Sequence, residues 1–298
     1  KARQKVVLRQ MVELGFITEE EKKAAEEEEL RYRKTGALRG DAPYFSRMVA
    51  DYLVERYGAA MVYGGGLRVF STLDLQMQRK AQEAYDAVMS GQDEELQAAL
   101  VAIDPRNGHI RALIGGRDYA TAPFNRAVDS KRQPGSAFKP FLYSKAIDVG
   151  LTAADMIMCE PVTFPVSGSK NYTPTDYGDE GYHYRAFTLK EALMVSDNVG
   201  SVRLNEAVGP ENTAEHALKF GFAGPIKPYL SLALGTSEVS PLEMASAYGV
   251  FANGGRMVKP VAVLKVTDSD GRVLETHEPR EQQVISPQNA YIITDMLT

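Results

Sequence analysis

Two segments of the sequence have the pattern of a β-hairpin, two apolar runs joined by turn-forming residues. They constrain the fold more than any other local feature. Residues 100–103 and 109–114 are apolar runs that flank the turn sequence Asp-Pro-Arg-Asn-Gly. Residues 261–267 and 272–276 flank Asp-Ser-Asp-Gly in the same way. Because Pro, Asn, Asp and Gly supply the backbone angles that turns need, each pair of runs is predicted to form two antiparallel strands.

Helix signals lie between and around these hairpins. Capping boxes begin at Thr188 and Ser240, since each is followed three residues later by a glutamate. Further helices are predicted from about 74 to 89 and from about 134 to 149, and the stretch 161–184 is predicted to be loop because it is rich in Pro, Gly, Ser and Tyr. Helices mixed with hairpins predict an α+β fold with antiparallel sheets.

The first part of the chain has a different character. Residues 1–64 are charged and helical in pattern, and a capping box is predicted at Thr18. The glycines at 64–66 interrupt that pattern before a predicted strand at 67–73. We therefore predict a domain boundary at these glycines, with 1–64 preceding a domain that spans 65–298.

Composition excludes several classes of function. The net charge of −5 argues against a nucleic acid partner, and no apolar run is long enough to cross a bilayer. The lone cysteine, Cys159, excludes disulfides and multi-thiolate metal sites, and we interpret it as a small buried apolar residue. No metal or cofactor is predicted, because the histidines lack metal-ligand spacing and read as surface or packing residues: His109, His183, His216 and His277.

Ser136 and Lys139 form the first candidate catalytic pair. They lie three residues apart where Pro134-Gly135 begins a helix, so their side chains share one face. Apolar neighbours and the positive end of the helix would both lower the pKa of the lysine, which favours its use as a general base. The serine would then be a nucleophile at a helix start, where its own amide can serve as an oxyanion donor.

The pattern Ser-x-x-Lys alone is weak, because about one copy is expected by chance in a chain of this size. Ser167 and Lys170 also match it, but within the predicted loop. Ser196-Asp197-Asn198 is a much rarer tripeptide and lies at a predicted junction of two helices, 60 positions after Ser136. Capping residues are also common at such junctions, so the tripeptide alone leaves both interpretations open.

Together the two motifs are similar to those of the penicillin-recognising serine transpeptidases and β-lactamases. The chain resembles the transpeptidase domain of bifunctional, class A penicillin-binding proteins in three segments: RQPGSAFKP, TLKEALMVSDNV and LALGTSEVSPLEMASAYGVFANGG. It resembles the segment that precedes that domain in three more: GFITEEEKKAA, APYFSRMVADYLVERYG and YGGGLRVFSTLD. The resemblance implies a penicillin-binding protein fold, an antiparallel sheet with a helical subdomain, and a remnant of a glycosyltransferase domain plus linker in residues 1–64.

The resemblance also implies a reaction, the cross-linking of peptidoglycan by a D,D-transpeptidase. Ser136 would attack the penultimate D-Ala carbonyl of a stem peptide, and Lys139 would take its proton. Ser196 would relay a proton toward the leaving amine, Asn198 would hydrogen-bond the substrate amide, and Asp197 would fix the turn. The implied partners are peptidoglycan stem peptides and β-lactam antibiotics. The implied location is the bacterial cell envelope, at the outer face of the cytoplasmic membrane.

One part of the family pattern is missing. A Lys-Thr-Gly motif should follow Ser-Asp-Asn, but none occurs between Asn198 and Thr298, and the copy at 34–36 stands in the wrong order. We interpret that copy as a coincidental match in a loop, with circular permutation of the domain as the alternative. We therefore expect the sequence to be a C-terminally incomplete piece of a longer, membrane-anchored protein, and we expect the 298 residues alone to be inactive.

Two other functions compete with the transpeptidase. A β-lactamase would need a base that activates water for deacylation, and no feature of the sequence requires one. A catalytically silent scaffold module of a cell-wall complex would have no need for the complete set of Ser136, Lys139, Ser196 and Asn198. The aromatic stretch at 182–184 is a candidate border of the substrate cleft, or an ordinary loop.

Overall fold

The computed structural model describes residues 2–27, 40–165, 168, 170–178 and 181–298. The Lys-Thr-Gly copy at 34–36 and the serine of the second Ser-x-x-Lys copy, at position 167, lie outside these residues. The chain divides into two units, Lys1–Arg39 and Gly40–Thr298, which we describe separately.

The first unit contains two helices, α1 (Ala2–Glu13) and α2 (Glu19–Glu27), which contact each other. The predicted capping box at the start of α2 is present. The Thr18 hydroxyl accepts a hydrogen bond from the Glu21 amide at 3.2 Å, and the Glu21 carboxylate accepts one from the Thr18 amide at 2.8 Å. Two otherwise unpaired N–H groups are thereby satisfied at an exposed helix end.

The second unit contains nine described helices, most of which begin at a residue that sequence patterns mark. Proline occupies one of the first two positions in α3, α6, α9, α10 and α11, where its missing N–H costs nothing. Their bounds are α3 Pro43–Tyr57, α4 Ala59–Gly64, α5 Leu75–Met89, α6 Lys139–Asp148, α7 Leu189–Met194, α8 Asn198–Val208, α9 Pro210–Leu218, α10 Pro241–Ala252 and α11 Pro287–Met296.

Nine described strands pair in antiparallel fashion. A three-stranded sheet has the order β1-β7-β8, and three two-stranded sheets join β2 to β3, β4 to β5 and β6 to β9. The bounds are β1 Arg68–Ser71, β2 Leu100–Ile103, β3 Ile110–Ile114, β4 Met156–Cys159, β5 Arg185–Thr188, β6 Arg256–Val258, β7 Val263–Thr267, β8 Val273–Thr276 and β9 Glu281–Gln283.

Both predicted hairpins are confirmed, and so is the α+β class. β2 pairs with β3 from Leu100↔Ile114 to Ile103↔Ile110, and β7 pairs with β8. The pairs β4–β5 and β6–β9 and the helices α4 and α11 were not predicted. The predicted boundary at 64–66 stays a prediction, although α3 packs on β3 and its buried residues share one apolar cluster with residues of β3 and β7.

The main core surrounds α6, which is buried on nearly all of its faces. Phe138, Phe141, Leu142 and Tyr143 are each 0% exposed, and α7, α8, α9 and α11 contact this helix. A helix that is buried all round lies in the centre of its domain. The candidate residue Lys139 is the first residue of this central helix.

A close backbone approach holds the turn that precedes α6. Gly235 has φ +68° and ends a short 3₁₀ helix, Leu230–Leu234. A Cβ atom at this position would lie 2.2 Å from the carbonyl oxygen of Gly135. Glycine is therefore required at position 235 for two reasons. It adopts a positive φ without strain, and it has no Cβ atom to collide with Gly135.

We predict that Gly235→Ala destabilises the protein much more than Gly254→Ala. Gly254 has a similar φ of +60°, but a Cβ atom there would meet nothing within 4 Å. The control, Gly254→Ala, should lower the free energy of unfolding by about 1 kcal/mol through backbone strain. Gly235→Ala should lower it by roughly 3 kcal/mol, because the backbone must also move. Urea unfolding of both variants measures the difference, and equal losses would show that the contact with Gly135 is unimportant.

Candidate active site

Ser136 lies in a single 3₁₀ turn, Gly135–Phe138, which leads directly into α6. The sequence predicted an α-helix from Pro134 onwards. Pro140 explains the difference, because it has no N–H to donate to the Ser136 carbonyl four residues earlier. That carbonyl accepts instead from the Lys139 amide, three residues on. In 3₁₀ geometry side chains three apart eclipse one another, so the turn still stacks Ser136 near Lys139.

Three contacts hold this turn in place. Arg132 and Val239 exchange backbone hydrogen bonds at 3.0 and 2.9 Å. Gly235 packs against Gly135, and the Tyr248 hydroxyl donates to the Ala137 carbonyl at 2.7 Å. Ser136 itself is exposed to solvent on a rigid support. Such a position suits a nucleophile that must meet a large substrate.

Lys139 is only 1% exposed although it carries an amine. Its Nζ atom donates to the Ser196 carbonyl at 2.5 Å, to the Ser196 Oγ at 3.1 Å and to the Asn198 Oδ1 at 2.8 Å. An ammonium group has three N–H donors, so these acceptors match it one for one. All three acceptors are uncharged. Among the described residues, no carboxylate forms an ion pair with the Lys139 amine.

Burial lowers the pKa of Lys139 from its ordinary value of 10.5 to about 8, and the charges of Asp197 and Asp176 partly oppose this shift. The sequence predicted the direction and named desolvation as one cause. The two carboxylates were not anticipated. With a pKa near 8, about a tenth of the molecules hold a neutral amine at pH 7, which is enough for a general base.

The turn that bears Ser196 adopts a rare conformation. Ser196 has φ +57°, which few residues other than glycine adopt. This angle directs both its carbonyl and its hydroxyl to the Lys139 amine. Strain of about 1–3 kcal/mol at such a position persists only where surrounding contacts hold it, and it is often found at functional sites.

Asp197 and Asn198 fix that turn to α8. Asp197 is the N-cap of α8, and its Oδ1 accepts from the Gly200 amide at 2.5 Å, which agrees with the structural role expected for it. The Asn198 side chain accepts from Lys139 and donates from Nδ2 to the Thr175 carbonyl at 3.1 Å. Asp176 accepts from the Asn198 amide at 2.5 Å. The loop 160–184 is thus tied directly to the candidate site.

The structure brings three of the four predicted site residues into contact. Lys139, Ser196 and Asn198 share the hydrogen bonds given above, and Ser136 lies on the adjoining turn. Between these described residues, no hydrogen bond joins Ser136 Oγ to the Lys139 amine. A groove of about 550 Å³ reaches Gln133 and Pro134, immediately before the Ser136 turn.

Sequence reasoning missed a polar cluster behind the Ser196 turn. Cys159 Sγ contacts Asp176 Oδ2 at 2.9 Å and His183 Nδ1 at 3.5 Å, and His183 Nδ1 lies 2.9 Å from Asp197 Oδ2. Burial raises the pKa of the Cys159 thiol, consistent with an unreactive thiol as expected. The only available signal was the wide spacing of 159, 176, 183 and 197, which matches no motif.

Comparison with known proteins identifies a family for this arrangement. Residues 98–298 match the model of the penicillin binding protein transpeptidase domain. Penicillin-binding protein 2D of Bacillus subtilis is 35% identical over the whole chain, which covers 44% of that protein. Penicillin-binding protein 1A of Neisseria lactamica is 41% identical over 68% of the chain, which covers 26% of that protein. The chain thus spans less than half the length of these curated relatives.

Solved structures show the same fold. The PonA1 protein of Mycobacterium tuberculosis in complex with penicillin V is 29% identical, with a TM-score of 0.74, over 85% of this chain and 69% of that chain. Penicillin-binding protein 1A of Haemophilus influenzae is similar in fold, with 24% identity and a TM-score of 0.77 over 98% of this chain and 62% of that chain. By its fold and by these matches, the chain belongs to the family of penicillin-binding protein transpeptidase domains.

Proposed function

We propose that this chain carries the catalytic serine, base and substrate-positioning residues of a peptidoglycan D,D-transpeptidase. The observation that supports this most directly is the environment of Lys139. Its buried amine contacts Ser196 and Asn198 and lies one 3₁₀ turn after the exposed Ser136. A buried lysine beside a serine hydroxyl is the arrangement in which an amine works as a general base.

In the first step the Ser136 Oγ attacks the penultimate D-Ala carbonyl of a stem peptide. Neutral Lys139 takes the proton as the Oγ–C bond forms, and the Ser136 amide stabilises the developing oxyanion. The C–N bond to the terminal D-Ala then breaks, and an acyl-enzyme remains. An amine of a second stem peptide replaces the serine in the next step, which returns the hydroxyl and completes the cross-link.

Ser196 and Asn198 support this step through their contacts with Lys139. Ser196 Oγ, 3.1 Å from the amine, passes the proton to the leaving amine of D-Ala. Asn198 lies 2.8 Å from the same amine and hydrogen-bonds the substrate amide. β-Lactams acylate Ser136 by the same route, since their amide imitates the D-Ala-D-Ala bond. The similar PonA1 protein has been solved in complex with penicillin V, which supports this part of the proposal.

The proposal places the reaction in the bacterial cell envelope, on the outer side of the cytoplasmic membrane, because peptidoglycan is found there. None of the described helices combines the length and apolar character that a bilayer crossing requires. Membrane anchoring through another segment, and the glycosyltransferase origin of residues 1–64, are parts of the same proposal and rest on the family resemblance.

Ser136→Ala should abolish covalent labelling by a fluorescent penicillin. Ser130→Ala, which removes a hydroxyl from the neighbouring groove, should label like the unchanged protein. Labelling is measured by gel fluorescence in the 298-residue chain and in a longer chain that carries a Lys-Thr-Gly strand after Thr298.

The two chains separate two parts of the proposal. The 298-residue chain should not label detectably, because one oxyanion donor fewer costs on the order of 10²–10³ in rate. Robust labelling of that chain would contradict the need for a third motif. Labelling of the longer chain that survives Ser136→Ala would contradict the nucleophile assignment.

The rate of penicillin acylation should fall at low pH. Since the pKa of Lys139 is about 8, the neutral amine becomes about tenfold scarcer with each pH unit below that value. Stopped-flow acylation rates of the longer chain between pH 5.5 and 9.5 test this. A rate that stays constant down to pH 6 would show that Lys139 is not the base.

The charge state of Lys139 can be measured without any substrate. Between pH 8 and 10.5 Lys139 is mostly protonated in the unfolded chain and mostly neutral in the folded chain. The free energy of unfolding that depends on Lys139 therefore rises with pH in this interval. The free energy of unfolding of the unchanged protein, minus that of Lys139→Met, should rise by about 3 kcal/mol across this interval. Urea titrations at four pH values give this difference, and a constant value would refute the lowered pKa.

A further inference from the structure

Four side chains of three chemical types, a thiol, an imidazole and two carboxylates, converge behind the Ser196 turn. They are Cys159 at the end of β4, Asp176 and His183 on the loop 160–184, and Asp197 at the start of α8. One ligand atom from each lies within 4.8 Å of all the others. The His183 Nδ1 atom is central, at 3.1 Å from Asp176 Oδ2, 2.9 Å from Asp197 Oδ2 and 3.5 Å from Cys159 Sγ.

This cluster places two buried carboxylate oxygens beside one thiol and one imidazole nitrogen. Cys159 has one S–H and His183 has one hydrogen at most on Nδ1, while two carboxylate oxygens face them. The Asp176 and Asp197 side chains are only 7% and 0% exposed. Within the described part of the chain, His183 is the sole ion-pair partner of either carboxylate. Buried carboxylates are normally paired with a fixed cation or bound to a metal ion.

The outward oxygens of the two carboxylates are already fixed by backbone amides. Asp176 Oδ1 accepts from the Asn198 amide at 2.5 Å and from the Val199 amide at 3.4 Å. Asp197 Oδ1 accepts from the Gly200 amide at 2.5 Å. Each carboxylate therefore presents its Oδ2 atom to the cluster. Hydrogen bonds of this kind orient the ligands of metal sites.

The spacing agrees with the geometry of zinc. Zn²⁺ binds sulfur at about 2.3 Å and nitrogen or oxygen at about 2.0–2.2 Å, so tetrahedral ligands lie roughly 3.3–3.6 Å apart. Four of the six separations between ligand atoms run from 2.9 to 3.5 Å, and all six are within 4.8 Å. The three shortest contacts, at 2.9–3.1 Å, reach the spacing of zinc ligands if they lengthen by a few tenths of an ångström. A thiolate disfavours Mg²⁺ and Ca²⁺, whereas a mixed sulfur, nitrogen and oxygen set suits Zn²⁺.

We propose that Cys159, Asp176, His183 and Asp197 bind one Zn²⁺ ion. The thiol proton leaves to solvent as the ion binds, and the histidine binds through the Nδ1 lone pair. The His183 side chain is 42% exposed, which gives the ion a path from solvent. Bound zinc would join β4, the loop 160–184 and α8 at one point, directly behind Asn198.

Zinc titration of chelator-treated protein tests the proposal. Isothermal calorimetry should show about one Zn²⁺ per chain, and Co²⁺ in its place should produce a thiolate charge-transfer band in the near ultraviolet. Loss of an outer-shell partner alone weakens metal binding about 10–100-fold, so loss of a ligand in Cys159→Ser or His183→Gln should weaken it at least about 100-fold. His109→Gln should bind like the unchanged protein, because His109 lies outside the cluster.

The two variants guard against different artefacts. Cys159 is fully buried, so a folding defect could mimic a lost ligand, whereas His183 is partly exposed and its replacement should leave the fold intact. Zinc should raise the melting temperature of the unchanged protein and of Ser136→Ala, but not of His183→Gln. Absence of binding, or binding that His183→Gln leaves unchanged, would overturn the proposal without affecting the transpeptidase assignment.

Discussion

The hydrogen bonds of the Lys139 amine are the interaction on which the rest of the site depends. The amine belongs to a buried side chain at the start of α6, and its acceptors come from Ser196, between α7 and α8, and from Asn198, the first residue of α8. A buried amine without acceptors would cost several kcal/mol, so the position of this turn relative to α6 is tightly constrained. The positive φ of Ser196 is part of that constraint, since it brings two acceptors from one residue to the amine.

Local chemistry made much of the fold predictable from the sequence. The capping boxes at Thr188 and Ser240 each satisfy backbone groups within four residues, so no tertiary contact was needed to recognise them. The two hairpins were predictable for the same reason. The pair β6–β9 was not, because its strands have only three residues each and no turn of their own between them. Pairing of that kind is decided by the packing of distant segments.

The site residues also differ in how far they could be predicted: those close together in sequence were recognisable, whereas those that only the fold brings together were not. Ser136 and Lys139 were recognisable because they lie three positions apart, and the family resemblance gave roles to Ser196 and Asn198. The sequence predicts a buried apolar residue at Cys159, because no histidine lies near it in sequence and His183 is 24 positions away. Pairing of β4 with β5 places Cys159 opposite Arg185, which closes the loop 160–184 and brings His183 to the thiol. Without a prediction of that strand pair, the cluster could not be found.

The first turn of α8 connects the two halves of the site. Its amides at 198, 199 and 200 are held by Asp176 and Asp197, so the carboxylates fix the backbone that carries Asn198. The same two charges raise the pKa of Lys139 against the stronger effect of burial. A pKa near 8 is therefore a balance between desolvation by the core and attraction by the cluster. The residues that position Asn198, the proposed substrate-binding side chain, thus also limit how readily the proposed base loses its proton.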